Sequence, residues 1–171
     1  MAKVLLINPP AEHTLVGNNP KFLDEERGHN PPLGLLYLAA MLEERSDHQV
    51  CVLDAQVEGL SYDDLAGHIE GEKPDLVGIT TMTFTLLDVV RTVQVVRRAA
   101  PGARVVLGGP HVHLFPRESV LLPGVDFAIV GEGEHSIVAL CDRLDDPGRW
   151  SEVPGLVFRR DGEVVANERP G

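Results

Sequence analysis

Five short, continuously apolar runs, each followed by a stretch with helical spacing, constrain this chain more than any other feature. They are KVLLIN at Lys3–Asn8, QVCVLD at Gln49–Asp54, DLVGIT at Asp75–Thr80, RVVL at Arg104–Leu107 and DFAIV at Asp126–Val130. A strand with one wet face alternates apolar and polar residues, whereas a strand covered on both faces has no need to. These runs therefore predict strands buried between two helical layers. Strand–helix alternation along the chain predicts that they lie parallel in one doubly wound sheet. The expected fold class is α/β, with five parallel strands.

The helices carry readable ends. Asn30-Pro31-Pro32 supplies a cap candidate and early-helix prolines for LGLLYLAAMLEER. Ser61-Tyr62-Asp63-Asp64 has the form of a capping box, opening a helix to about Glu70. LLDVVRTVQVVRRAA places arginines in its last turns and is stopped by Pro101-Gly102. One short helix is expected between the fourth and fifth strands, and a further helix over Glu134–Leu144. Beyond Trp150, GLVFRRDGEVVAN reads as a β-hairpin turning at Asp161-Gly162. Residues 1–148 are thus expected as the α/β domain and 149–171 as a hairpin linker opening a further unit of a longer protein. The connection from Ala11 to Asn30 is about twice the usual length and predicts a functional flap.

Charge and cysteine content narrow the partners. A formal net charge of −11 opposes binding to nucleic acid or an anionic membrane, since no Lys/Arg block offsets it. Cys51 and Cys141 lie far apart with no C-x-x-C, so a zinc ribbon or dithiol redox motif is excluded. They are expected as buried free thiols of a cytoplasmic protein, one long-range disulfide being the alternative. MAKVLLINPP is too short and too quickly stopped by proline to be a signal peptide, and no apolar run reaches membrane-spanning length.

In a parallel sheet, ligands bind beyond the carboxyl ends of the strands. Those ends read Asn8-Pro9-Pro10, Thr80-Thr81-Met82-Thr83, Gly108-Gly109-Pro110-His111 and Gly131-Glu132-Gly133-Glu134. All are small, polar or backbone-exposing, and together they form a floor that a flat ligand could approach closely. Familiar nucleotide motifs are missing. No G-x-x-x-x-G-K-S/T occurs, and Gly131-Glu132-Gly133-Glu134 sets carboxylates where a dinucleotide's phosphates would lie. Ser119 and Ser136 sit in no nucleophile elbow, and Cys51 reads as core. His111 and His113 lack an identifiable third metal ligand, so they are expected as solvated or hydrogen-bonded loop residues. Glu132 and Glu134 are candidates for acid–base work or for capping the following helix.

Taken in order, KVLLINPP, PPLGLLYLAAMLE, VCVLDA, DLVGITTMT, VVLGGPHVH and FAIVGEGE closely resemble the cobalamin (vitamin B12)-binding domain at the N-terminus of many radical S-adenosylmethionine enzymes. The nearest-looking members are the anaerobic magnesium-protoporphyrin monomethyl ester cyclases and related methyltransferases. The resemblance spans residues 3 to 145 and implies a Rossmann-like (flavodoxin-like) domain whose strand ends carry the corrin. It implies that Thr80 or Thr81 and Gly108-Gly109 line the tunnel for the nucleotide tail. Asn8, Pro9, Pro10, Gly34, Met82, Thr83, Pro110, His111, Gly131, Glu132, Gly133 and Glu134 would complete the cobalamin site.

Two departures accompany the resemblance. Methionine-synthase-like domains carry D-x-H-x-x-G after the first strand, its histidine ligating cobalt from below. Here only Asp54-Ala55-Gln56-Val57-Glu58-Gly59 mimics it, after the second strand and with Gln for His, so it is read as a decoy. The lower face of cobalt is left to water, to nothing, or to a residue of the loop after Asn8. The chain also lacks the C-x-x-x-C-x-x-C of an iron–sulfur site. Either the chain is a stand-alone carrier or, which is the expectation, S-adenosylmethionine and a 4Fe–4S cluster belong to a radical domain of the same polypeptide. The expected function is that of its cobalamin-binding domain, non-catalytic alone, in a parent that transfers methyl groups or performs oxidative cyclisation. The alternatives are a cofactor-free flavodoxin-like regulatory domain, or a small hydrolase or transferase using Glu132, Glu134 or His111.

Overall fold

The computed structural model describes residues 1–14 and 31–169. Strands form where the apolar runs lie. β1 (Lys3–Asn8) and β2 (Gln49–Asp54) coincide with theirs, β3 covers Leu76–Thr80, β4 Arg104–Gly108, and β5 only Phe127–Ile129. The hairpin supplies β6 (Leu156–Arg160) and β7 (Glu163–Ala166). Its turn residues Asp161 (φ 53°) and Gly162 (φ 85°) are both left-handed, which matches the twist of the strands they join.

The strand order is β2-β1-β3-β4-β5-β6-β7. The five expected strands pair in parallel, and β6 then adds antiparallel to β5. The hairpin thus extends the same sheet instead of standing apart from it. A bare β5 would present unpaired backbone and an uncovered aromatic ring. In the pairing, Phe127 lies opposite Phe158, both are buried, and Trp150 packs edge-on against them at ring separations of 4.8 and 5.7 Å.

Helix α1 (Leu33–Arg45) starts at Pro32, whose carbonyl accepts from the amides of Leu35 and Leu36. The cap expected from Asn30 lies outside the described residues, as does all of the expected flap beyond Thr14. Helix α2 (Tyr62–Glu72) opens with both halves of the Ser61–Asp64 capping box. The Ser61 hydroxyl and amide hold the Asp64 carboxyl below its usual range. It runs two residues past the expected end and stops at left-handed Lys73 (φ 50°). Helix α3 (Leu86–Ala99) follows a 3-10 turn at Thr83–Thr85. Two short helices, α4 (Pro110–Leu114) and α5 (Pro116–Leu121), replace the single one expected, because Pro116 offers no amide to continue the first. Helix α6 covers Glu134–Cys141, ending three residues before the expected Leu144.

Alternate strand residues feed two cores. Leu5, Ile7, Val77, Ile79, Val105 and Leu107 pack with Leu65, Ile69, Val89 and Val93 of α2 and α3. Val4, Leu6, Leu76, Val106, Phe127 and Ile129 pack with Leu35, Leu42, Ile137 and Leu140 of α1 and α6. Both cysteines are free thiols. Cys141 is buried in the second core, while Cys51 is only half-buried because β2 is an edge strand.

Candidate functional site

The second face is not closed along its whole length. At the carboxyl ends of β3 and β4 it opens into a cavity of about 580 Å³, within the range of small-molecule sites. The sheet provides its floor through Leu6, Gly78, Thr80, Val106, Gly108 and Ile129. Gly34, Leu35 and Leu38 of α1 and Ile137 of α6 form the opposite wall. Pro110, His113 and Leu114, with Gly131 through Glu134, surround the mouth.

Register explains why these residues meet. Parallel pairing sets Leu6 beside Gly78, Gly78 beside Val106, and Thr80 beside Gly108, so all five point to one face. Two of the five have no side chain. A Cβ on Gly78 would stand 2.7 Å from Leu6 Cδ2, and one on Gly108 would meet no atom within 4 Å. A side chain at Gly108 would therefore start into the open space of the cavity. Gly109 serves the backbone instead. Its φ of 102° is left-handed, and a Cβ there would come within 3.0 Å of the Thr81 carbonyl oxygen. That close approach lets the Thr81 amide donate to the Gly108 carbonyl at 2.7 Å and the His111 amide donate to Thr81 at 3.1 Å.

Of the residues expected at the site, Gly34, Thr80, Gly108, Gly109, Pro110, Gly131, Glu132, Gly133 and Glu134 line the cavity. Of the two threonines, Thr80 does so. Thr81 is buried, with its hydroxyl turned onto the Ile79 carbonyl. Met82 and Thr83 are exposed beyond β3 and lie outside the lining. His111 is buried rather than solvated, its Nδ1 3.0 Å from the Thr83 hydroxyl and its ring packed on Phe115. His113, two residues on, is the histidine that reaches the cavity. Of the three candidates for acid–base work, Glu132 and Glu134 line the cavity and His111 does not. Among the described residues, no group of three or more His, Cys, Asp or Glu side chains is placed to hold a metal ion. Burial pushes the Cys141 thiol up to about 12, far from a nucleophile's range.

Asn8 and Pro9 are engaged on the other side of β1. The Asn8 amide donates to Asp54 at 2.9 Å, and Gln56 donates to the Pro9 carbonyl at 2.9 Å. Asp54 also accepts from the amides of Gln56 and Val57, so the Asp54–Gly59 segment is a capped turn. Pro10 is buried next to Pro9.

A polar cluster that no sequence motif announces ties down the chain after β1. The Asp88 carboxylate, fully buried at the start of α3, accepts from the His13 amide (3.0 Å), from His13 Nδ1 (3.0 Å) and from the Tyr62 hydroxyl (2.5 Å). Arg91 donates to His13 Nε2 at 2.7 Å, which assigns the His13 proton to Nδ1. Burial, and then Asp88, push the Tyr62 phenol well above the usual tyrosine range.

The cavity's deep wall was also missed by motif reading. Leu6, Leu35, Leu38, Gly78, Val106, Ile129 and Ile137 pass for ordinary core. The one available signal was Gly78, since a glycine inside a strand often marks close approach by another group.

The sequence matches the B12 binding domain family model over residues 23–141. The chain belongs to that family. An uncharacterised methyltransferase of Pyrococcus horikoshii is 34% identical over 172 residues, which cover 98% of this chain and 35% of the relative. The anaerobic magnesium-protoporphyrin IX monomethyl ester cyclase of Rubrivivax gelatinosus is 33% identical over 148 residues, 83% of this chain and 26% of the cyclase. The fold of this B12-binding domain matches the radical S-adenosylmethionine methyltransferase TsrM from Kitasatospora setae, solved with cobalamin and an iron–sulfur cluster bound. The TM-score is 0.78 at 22% identity, over 99% of this chain and 29% of TsrM. The chain thus spans about a third or less of the length of these relatives. Among the described residues, no helix is long and apolar enough to cross a membrane.

Proposed function

We propose that the cavity on the α1–α6 face receives the nucleotide end of cobalamin while the corrin lies over the strand ends. The observation that carries this reading is a deep apolar cavity, floored by Gly78 and Gly108, in a chain of the B12-binding family. The residues fit the group. A flat aromatic base needs apolar walls and close backbone approach, and both are present. Gly108 leaves the entrance clear, and Thr80 offers a hydroxyl to a base nitrogen. Glu132 and Glu134 at the mouth can accept from corrin amides, with Gly131 and Gly133 beside them. Met82, Thr83 and Leu114, exposed at the same end of the sheet, would contact the macrocycle's edge.

Bound cobalamin supplies a cobalt centre that can carry a methyl group or support radical chemistry. The chain itself contributes binding, orientation and exclusion of water. We further propose that it serves a longer polypeptide in the cytoplasm, whose radical domain holds S-adenosylmethionine and the 4Fe–4S cluster. Residues 1–148 would be the cobalamin-binding part and 149–171 the link to that domain. The small share of each relative that the chain spans supports this. No observation favours a cofactor-free regulatory domain. Gel filtration of the purified chain with hydroxocobalamin tests the reading. Corrin absorption should co-elute with protein, and a corrin-free protein peak under both oxidising and reducing conditions overturns it.

A further inference from the structure

The deep end of the cavity differs sharply from its mouth. Leu6, Leu35, Gly78, Val106, Ile129 and Ile137 are all buried, and none carries a polar side-chain atom. The backbone amides and carbonyls of β3 and β4 that border the floor are spent in the parallel ladders with β1, with each other and with β5. Thr80, nearer the entrance, brings the one side-chain hydroxyl among the described lining residues. The charged and titratable groups, His113, Glu132 and Glu134, stand at the rim.

From this gradient we infer that the domain discriminates among cobamides by their lower base, accepting benzimidazole-type bases and rejecting purine-type ones. The inference rests on the proposal that the cavity receives the nucleotide end. A benzimidazole attached through one ring nitrogen keeps a single polar atom, which the Thr80 hydroxyl can satisfy. Its remaining edge is hydrocarbon and matches Leu6, Val106, Ile129 and Ile137. A purine base carries an exocyclic amine and further ring nitrogens around its perimeter. In the deep end these would lose water and find no partner among the described residues, a cost that binding does not recover.

Equilibrium ultrafiltration of the chain with three probes tests the inference: hydroxocobalamin, adeninylcobamide, and cobinamide, which has no nucleotide. Adeninylcobamide should bind about ten- to a hundredfold more weakly than hydroxocobalamin. Cobinamide should also bind more weakly than hydroxocobalamin. A Val106→Thr variant keeps the floor's shape and adds a hydroxyl, and it should narrow the gap between the two complete cobamides several-fold. Adeninylcobamide binding within about twofold of hydroxocobalamin overturns the inference and leaves cobalamin binding intact. Cobinamide binding as tightly as hydroxocobalamin also overturns it, because the base is then not read. Failure of hydroxocobalamin itself to bind overturns both proposals.

Discussion

The two faces of the sheet are built from the same strands and put alternate residues to different uses. Toward α2 and α3, the central strands present Leu5, Ile7, Val77, Ile79, Val105 and Leu107, each at most 2% exposed. Toward α1 and α6, the same strands present Leu6, Gly78, Thr80, Val106 and Gly108. On this side α1 lies over β1 and β2 and against α6, and among the described residues no helix covers the carboxyl ends of β3 and β4. One face is packed for stability. The other gives up side-chain volume on its two central strands, and a ligand-sized cavity results.

The sharpest way to break this comparison is to truncate neighbouring leucines of β1. Leu5→Ala opens a hole in a closed core and should cost ~3–5 kcal/mol by urea denaturation, whereas Leu6→Ala merges with an existing cavity and should cost only ~2 kcal/mol. Equal losses would show that the faces are packed alike. Next in size, Gly108→Leu should weaken hydroxocobalamin binding at least about fiftyfold while leaving the melting temperature within about 2 °C of the unmodified chain. Retained affinity in the folded variant would remove Gly108 from the site.

On the α2–α3 side, Tyr62→Phe deletes the hydroxyl that donates to buried Asp88 and should cost about 1 kcal/mol at neutral pH. Because the Tyr62 phenol is pushed upward, the native state keeps a proton that the unfolded chain releases in the ordinary tyrosine range. Its contribution is therefore present below about pH 10 and lost as pH rises further. The variant should show a shallower alkaline fall in stability, and an unchanged slope would mean that Tyr62 is not the group titrating. The smallest effect is expected at Gly34, where an added Cβ meets nothing within 4 Å. Gly34→Ala should raise stability by ~0.5–1 kcal/mol through helix propensity and weaken cobalamin binding a few-fold. A gain in both would place Gly34 outside the ligand's reach.

How far the site could be read from sequence depends on which kind of residue is asked about. Gly108, Gly109 and Gly131–Glu134 stand out because strand-end glycines and carboxylates have no business in a strand core, and all line the cavity. Choosing between His111 and His113 needs the rotation of α4, and choosing between Thr80 and Thr81 needs the side-chain direction at a strand end. Adjacent residues there face opposite ways, so local composition cannot decide. The apolar walls were illegible for a different reason. Leu6, Val106 and Ile137 have the same hydrophobicity whether a neighbouring helix covers them or a cavity does. The Asp88 cluster joins His13 after β1 and Tyr62 at the start of α2 to Asp88 and Arg91 of α3, three segments far apart in the chain.

By itself the sequence determined the layer order. Short two-sided apolar runs alternating with capped helices admit a parallel sheet between helices, and the Asp161-Gly162 turn admits a tight hairpin. Six motifs in order pointed to the family. Tertiary structure alone decided that this hairpin completes the sheet at β5, because the buried Phe127–Phe158 pairing is long-range. It alone decided that Gly78, Thr80 and Gly108 share one face over an uncovered stretch of sheet. Register between parallel strands is set by how distant elements pack, and a cavity is a property of what they leave unfilled.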